Sequence, residues 1–502
     1  MAEAPIDVQA GLDRYRDVRR QLEEQVLPLA TSVDGRRFSY QTSLYGLELQ
    51  AGSYVALEQG SERRLGQIVT LGVGQKQGLE LAADEDSALA HRAQVVVRGA
   101  EGEGRVLDGD GSSFHDASVR PATAAEVRAH LEETASRRAQ LEIGELLLAP
   151  GVPFSLDSGG FARHTFLCGQ SGSGKTYSLG VVLEQLLLET DLRIVVLDPN
   201  SDFARLAKLR PDADGDDADR YTRATRSLAV RRADDGLALR LAELDPATQA
   251  AAFRLDPIDD REEYAELAAL TDSGEALTLE QLEQLERDGG AGGRLIGRAR
   301  NLGLHRWGIW AGADRTSMLP ELAQDDVRCL VIDLGSLATR EEQALASAAV
   351  LGELWRRREE RKPVLIVIDE AHNVCPARPE DPLTAIATEH AVRIAGEGRK
   401  FGLYLLVSTQ RPQKVHENVL SQCDNLLLMR MNSLADLGFV GETFSFVPPS
   451  LLERATTFRQ GESLAAGLIA PHPAFLRFGR RLAQEGGGDV PADWSRPVSR
   501  PA

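Results

Sequence analysis

The run HTFLC at residues 164–168 leads into Gly169-Gln170-Ser171-Gly172-Ser173-Gly174-Lys175-Thr176, and the helical pattern YSLGVVLEQLLLE follows at once. This is G-x-x-x-x-G-K-[ST] set between a strand and a helix, and few folds accommodate it. The glycines let backbone N–H groups turn inward around phosphate oxygens, and the helix N-terminus adds partial positive charge. The expected nucleotide-binding segment is Gly169, Gln170, Ser171, Gly172, Ser173, Gly174, Lys175, Thr176 and Tyr177. Lys175 would reach the β- and γ-phosphates and the Thr176 hydroxyl would bind Mg2+, so ATP and Mg2+ are the expected cofactors. Lysine is otherwise scarce, limited to Lys76, Lys208, Lys362, Lys400 and Lys414. In so arginine-rich a background, a retained lysine is a candidate for a role that arginine cannot take.

Short continuous apolar runs recur downstream: LRIVVLD, RCLVIDL, VLIVIDE, GLYLLVSTQ and DNLLLMRM. Alternating with helical stretches, they predict an α/β fold with a mostly parallel sheet covered on both faces. Asp369 ends the run Val364–Ile368, where it can bind or orient Mg2+ at the carboxyl end of the sheet. Glu370 follows, placed to orient and polarise an attacking water. The same stretch spells D-E-A-H, the letters of a large helicase class. That class carries two motor domains in one chain. Here the acid pair comes late, the sequence ends at Ala502 and no Q-x-x-G-R-x-x-R-like segment follows. A DEAH-box helicase is therefore not expected, and Ala371 and His372 read as incidental neighbours of the acid pair. No guanine-reading N-K-x-D segment and no transporter-type L-S-G-G-Q segment is present.

Residues 1–30 hold one apolar helical stripe, Val8, Leu12, Tyr15, Val18, Leu22 and Val26, which would pack on the protein's own surface or dock a partner. Residues 31–120 alternate in short runs broken by Gly-rich turns and predict a small β-barrel or sandwich. Thr123-Ala-Ala-Glu126 is a capping-box pattern opening a linker helix, expected to run to Leu141 within residues 121–145. The motor is expected over 146–485, with an Ala/Leu/Asp/Glu-rich helical insertion at 201–306. A tail without apolar period follows at 486–502.

The four cysteines, Cys168, Cys329, Cys375 and Cys423, stand far apart and form no C-x-x-C pair. They suit small buried hydrophobes in a reducing compartment rather than disulfides or zinc. No run is long and apolar enough to span a bilayer, and no signal-like stretch opens the sequence, so the expected location is cytoplasmic, without membrane. A net charge of −19 speaks against a nucleic-acid binder, except for a ring in which the channel alone is basic.

Residues 396–436, GEGRKFGLYLLVSTQRPQKVHENVLSQCDNLLLMRMNSLAD, resemble the HerA branch of the FtsK–HerA hexameric DNA translocases. So do HTFLCGQSGSGKT and GESLAAGLIAPHPAFLRFGRR, while GSYVALE and RLGQIVTL are similar to that family's N-terminal barrel. The similarity runs over nearly the whole chain from residue 31, least specifically in the helical insertion. It implies a RecA-like motor in a homohexameric ring, with ATP held between subunits and double-stranded DNA in the channel. It also implies roles for single residues: Gln410 as polar sensor of the γ-phosphate and water, Arg399 as the finger reaching a neighbour's ATP, and Arg163 as a second arginine near nucleotide. With Lys175 and Glu370 these are the expected catalytic residues, and Thr176 and Asp369 the expected metal ligands. Asp198-Pro199-Asn200-Ser201-Asp202 stands where relatives often carry a glycine-containing acidic turn, and Asp198 is left outside the expected set.

Arg298, Arg300, Arg306 and Lys414 are candidate DNA contacts, each equally readable as an ion-pair partner of nearby acids. The implied partner is a NurA-like nuclease in DNA end processing, or a sirtuin-like or other effector in antiphage defence, docked on the barrel face. Two other readings stay open on sequence alone. One is a ring scaffold that activates an effector while ATP controls assembly; the other is a secretion or conjugation ATPase that drives protein.

Overall fold

The structure, a computed structural model, describes residues 8–81, 93–272, 293–311 and 315–486. The alternating N-terminal pattern folds as antiparallel strands β1 (Leu29–Ser32), β2 (Arg37–Thr42), β3 (Tyr54–Gln59), β4 (Glu62–Ile68), β5 (Gly72–Leu81), β6 (Ala93–Val106) and β7 (Phe114–Pro121). Their order is β2-β1-β7-β3-β4-β6, and pairing of β2 with β6 closes the barrel while β5 adds to β6 outside the closure. Alternate residues face inward, among them Phe38, Tyr40, Val55, Leu57, Ile68, Phe114 and Val119. Gly104 makes room for Phe38, since a Cβ there would sit 2.1 Å from Phe38 Cζ.

Helix α1 (Val8–Glu24) lies along this barrel rather than apart from it. The buried Glu23 anchors it: its Oε1 accepts from the Arg98 N–H at 3.1 Å, and its carbonyl accepts from Ser43 Oγ at 2.7 Å. Helix α2 (Ala124–Thr134) opens on the capping box of Thr123 and Glu126. It ends at Thr134, short of the expected Leu141, because residues from Gln140 switch to a period of two. Leu141, Ile143 and Leu146 point into the core from strand β8 (Gln140–Leu146), so the last part of the expected linker belongs to the large sheet.

That sheet also contains β9 (Pro153–Asp157), β10 (His164–Cys168), β11 (Arg193–Asp198), β12 (Leu228–Arg231), β13 (Cys329–Asp333), β14 (Val364–Ile368), β15 (Leu403–Thr409), β16 (Cys423–Met429), β17 (Glu462–Gly467) and β18 (Ala474–Phe478). Its order is β12-β13-β11-β14-β15-β10-β16-β17-β18-β8-β9; the strands from β12 through β16 in that order run parallel and the remainder antiparallel. Both faces are covered, which is why the strands read as unbroken apolar runs. Val195, Leu197, Ile366 and Ile368 pack into one cluster, and Ile194, Val196, Leu365 and Val367 into the other. Helix α3 (Lys175–Glu189) covers the second face with Leu179, Val182, Leu183 and Leu186, each worth about 2 kcal/mol on burial. The helices Arg340–Arg356 and Pro382–Glu397 cover the first.

The stretch expected as a helical insertion at 201–306 is not an appendage. Strand β12 extends the parallel sheet beside β13, and Leu295, Ile296 and Ala299 of the helix Gly293–Leu302 are buried in the same core as β11 and β13. The expected tail, 486–502, lies outside the described residues apart from Gly486. Cys168, Cys329, Cys375 and Cys423 are free and buried. Among the described residues no helix is long and apolar enough to cross a membrane. The barrel is fastened to the large sheet through the β17–β18 connection: Gln67 Nε2 donates to the Pro473 carbonyl at 2.8 Å, and Tyr54 Oη lies 2.9 Å from His472 Nε2.

Candidate nucleotide site at the carboxyl edge of the sheet

Strand β10 ends at Cys168 between β15 and β16, and the glycine loop turns over the edge before α3 begins. Gly172 and Gly174 take φ of 73° and 92°, a left-handed conformation that side-chain-bearing residues adopt at a cost. The loop is framed from both sides. Gln170 N–H donates to the Arg430 carbonyl at 2.9 Å, Arg430 Nη2 to the Gly172 carbonyl at 3.1 Å, and Gly461 N–H to the Ser173 carbonyl at 2.9 Å. A cleft of about 660 Å³ opens over it, bordered by Lys175, Thr176, Asp202, Glu370, Gln410 and Arg477.

Since β10, β11, β14 and β15 are parallel, their carboxyl ends deliver side chains to one edge. Lys175 comes from the first turn of α3, Asp369 and Glu370 from the end of β14, and Ser408 and Gln410 from the end of β15. Lys175 Nζ donates to Asp369 Oδ1 at 2.8 Å and to Ser408 Oγ at 3.1 Å, and it lies 3.0 Å from Glu370 Oε1. All three charged groups are buried. Burial disfavours the ammonium, but Asp369 and Glu370 outweigh it and raise its pKa. Burial also works against the Glu370 carboxylate; His372 and Lys175 overcome that and hold it at about 2. Gln410 Nε2 donates to Glu370 Oε1 at 3.0 Å, so the expected sensor and the expected water-orienting acid are in contact. Glu370 itself adopts φ 42°, a strained conformation for a residue with a side chain.

Thr176 Oγ1 lies 3.5 Å from Asp202 Oδ2, and the carboxylates of Asp198, Asp202 and Asp369 approach within 4.8 Å of one another. Burial pushes Asp198 up to about 7; burial and the charge of Asp369 push Asp202 up to about 6. Asp369 Oδ2 is buried with no hydrogen-bond partner. A set of hard oxygen donors around an orphaned carboxylate oxygen fits a divalent cation such as Mg2+. Tyr177 borders the same cleft, and its hydroxyl accepts from the Arg481 N–H at 2.7 Å.

Arg163 and Arg399 are elsewhere. They stand at the amino ends of β10 and β15, where Arg163 Nε and Arg399 Nη1 approach the same oxygen, Asp424 Oδ2, at 3.8 and 3.5 Å. The five residues of β10 separate that edge from the phosphate loop by roughly 16 Å. Both arginines are partly exposed and line an open cleft with Arg138. Of the candidate DNA contacts, Arg298 is paired with Asp260 at 3.0 Å, while Arg300, Arg306 and Lys414 are exposed.

A family model described as the central domain of helicase HerA matches residues 141–290. The chain is 25% identical over 392 residues to the DNA double-strand break repair helicase HerA of Saccharolobus solfataricus, covering 73% of this chain and 74% of that one. It is 23% identical over 414 residues to the protein of the same name from Pyrococcus furiosus, covering 67% and 69%. The chain is thus similar to HerA helicases over most of its length, at low identity. Its match to the Sulfurisphaera tokodaii HerA helicase is more similar but shorter, at 33% identity over 167 residues. That match spans about a third of either chain, 32% of this one and 33% of the relative.

Three side chains at the site were not in the expected set. His372, read as incidental, has Nδ1 3.2 Å from Glu370 Oε2 and 3.0 Å from Thr409 Oγ1, so it helps hold the acid. Ser408 binds the P-loop lysine. Asp202 faces Thr176. The last carried a faint signal, an acid four residues beyond a strand-end Asp198, but its direction depends on contacts far away in sequence.

Proposed function

We propose that this chain is an ATP-driven motor acting on double-stranded DNA, working as a homohexamer in which each nucleotide is completed by Arg399 and Arg163 of a neighbouring subunit. One observation carries the reading. Lysine, acids and glutamine converge at the carboxyl edge of the sheet, while both arginines lie together at the opposite edge, out of reach of their own chain's phosphate loop. A fixed cation from a second body stabilises charge developing on the transferred phosphoryl group and ties hydrolysis to subunit movement.

The residues divide the work accordingly. Nucleotide phosphates compete with Asp369 and Glu370 for Lys175, so binding draws the lysine outward and leaves Glu370 to an incoming water. Glu370, held ionised at neutral pH, orients that water and accepts its proton, while Gln410 fixes the carboxylate through its amide. Mg2+ held by Thr176 and Asp369 would offset phosphate charge. DNA contact through exposed cations such as Arg306 and Lys414 would weaken with salt, as phosphate-directed binding does. The barrel would dock a nuclease or other effector, in DNA end processing or antiphage defence.

Mixing two inactive variants tests the shared site. Lys175→Ala and Arg399→Ala should each abolish DNA-stimulated ATP hydrolysis. In a random one-to-one mixture roughly a quarter of the interfaces become complete, and turnover should return toward that level. Failure to recover in rings shown to mix would reject the shared site. Turnover indifferent to DNA in intact wild-type rings would favour the effector scaffold instead.

A further inference from the structure

We propose that Asp202 is a ligand of the divalent cation at this site, beside Thr176 and Asp369. The inference rests on the nucleotide reading above and adds a donor from a different part of the chain. Asp202 Oδ2 stands 3.5 Å from the Thr176 hydroxyl, near the roughly 3 Å that separates adjacent oxygens around a small octahedral cation. Its carboxylate shares one cluster with Asp369, which is fully buried, engages Lys175 with Oδ1, and has no hydrogen-bond partner on Oδ2. Four carboxylates, those of Asp198, Asp202, Asp369 and Glu370, crowd this edge against Lys175 among them and the charge of Arg481 nearby, and a divalent ion offsets the remaining excess.

The turn that carries Asp202 is built to aim it. Asp198 is saturated by backbone donors: its Oδ1 accepts from the N–H of Asn200 at 3.4 Å and of Asp202 at 3.0 Å, and its Oδ2 from Phe203 at 2.8 Å. It is therefore a positioning residue, and Asp202 presents the carboxylate. Ser201 takes φ 63° and is held there by its hydroxyl, which donates to Asp333 Oδ1 at 2.6 Å. From the other side the Gly486 N–H donates to the Asp202 carbonyl at 2.9 Å. A serine in the left-handed region, clamped from the end of β13 and from the C-terminal segment, costs stability that a surface turn has no reason to spend.

The test uses the full chain with ADP and Mn2+, read by titration calorimetry and by the spin-resonance signal of free Mn2+. Wild type should bind ADP without metal, bind it more tightly with Mn2+, and take Mn2+ out of solution when ADP is present. Asp202→Asn should still bind metal-free ADP, yet hold Mn2+ in the ADP complex about tenfold more weakly or worse. Asp202→Ser should behave alike, which guards against a distortion peculiar to asparagine. Unchanged Mn2+ affinity in both variants overturns the role of Asp202 and leaves the nucleotide reading standing. Wild type that binds no ADP with or without metal overturns both.

Discussion

Replacing Lys175 by alanine is expected to weaken the protein itself, before any nucleotide is added. The ammonium is 2.8 Å from Asp369 and 3.0 Å from Glu370, with side-chain exposures of 7%, 0% and 5% for the three residues. Truncating it leaves two buried carboxylates beside each other with only His372, on the Glu370 side, to offset them, and removes the donor to Ser408. Breaking a buried pair from one side costs about 3–5 kcal/mol. For a body of a few hundred residues this lowers the melting temperature by roughly 5 °C. The penalty depends on pH, because an unpaired buried carboxylate can escape it by taking up a proton. In wild type Glu370 is held at about 2, so its contribution is present above the ordinary carboxylate value and is lost as pH falls toward 2. In the variant the sign reverses: the deficit is small in acid and grows as pH rises. Calorimetric melting of nucleotide-free protein at pH 5 and pH 8, with oligomeric state checked, reads this directly. The gap to wild type should widen at pH 8, and adding Glu370→Gln to Lys175→Ala should narrow it. A variant that melts within about 1 °C of wild type at both pH values would falsify the account of Lys175 as the cation holding this acid pair together.

Two further outcomes are expected. His472 is buried between the barrel and the large sheet against Tyr54 and His130, with ring centroids 5.5 and 5.6 Å away, and burial followed by His130 lowers its pKa to about 3. An imidazole kept neutral in the fold makes stability fall as pH drops below its ordinary value, by about 2 kcal/mol at pH 5. Amide protection at this seam, corrected for the intrinsic exchange rate at each pH, should therefore fall between pH 7 and pH 5, and His472→Gln should flatten that dependence; an equal dependence in both proteins contradicts it. Gly180→Ala, normally stabilising within a helix, should destabilise here by about 1–3 kcal/mol. Its Cβ would lie 2.4 Å from Cζ of the fully buried Arg481, which pairs with Glu184 at 3.4 Å; a urea midpoint at or above wild type refutes this.

What could be read from the sequence was whatever local chemistry dictates. Glycines at 172 and 174 are required by left-handed turns within the loop itself, and Asp369 is placed by the five-residue apolar strand before it. The errors came where distant segments decide. Strand β12 is the four-residue LAVR, too short for a period, and exists because β13, roughly a hundred residues later in the chain, offers it an edge. The helix after Thr123 was carried too far because its pattern runs into QLEIGEL, whose period of two shows only once β18 and β9 pair with it. His372 was dismissed because the letters around it suggested the wrong class, although it touches the acid two positions away.

Arg399 and Arg163 mark a deeper limit. A residue that serves its own chain's site leaves a trace in spacing, as Lys175 does after its glycines. One that serves a neighbour has its partner in another molecule, so no spacing within the chain can relate the two; resemblance alone singled these arginines out. Folding supplies the missing relation indirectly. In a parallel sheet the carboxyl edge collects the phosphate site and the amino edge faces away, so two arginines gathered on one aspartate at the amino edge are excluded from their own nucleotide by the length of a strand. Either they have no part in catalysis, or another subunit presents its carboxyl edge to them. Subunit mixing separates these two cases, since an arginine without a catalytic part would leave Arg399→Ala active on its own.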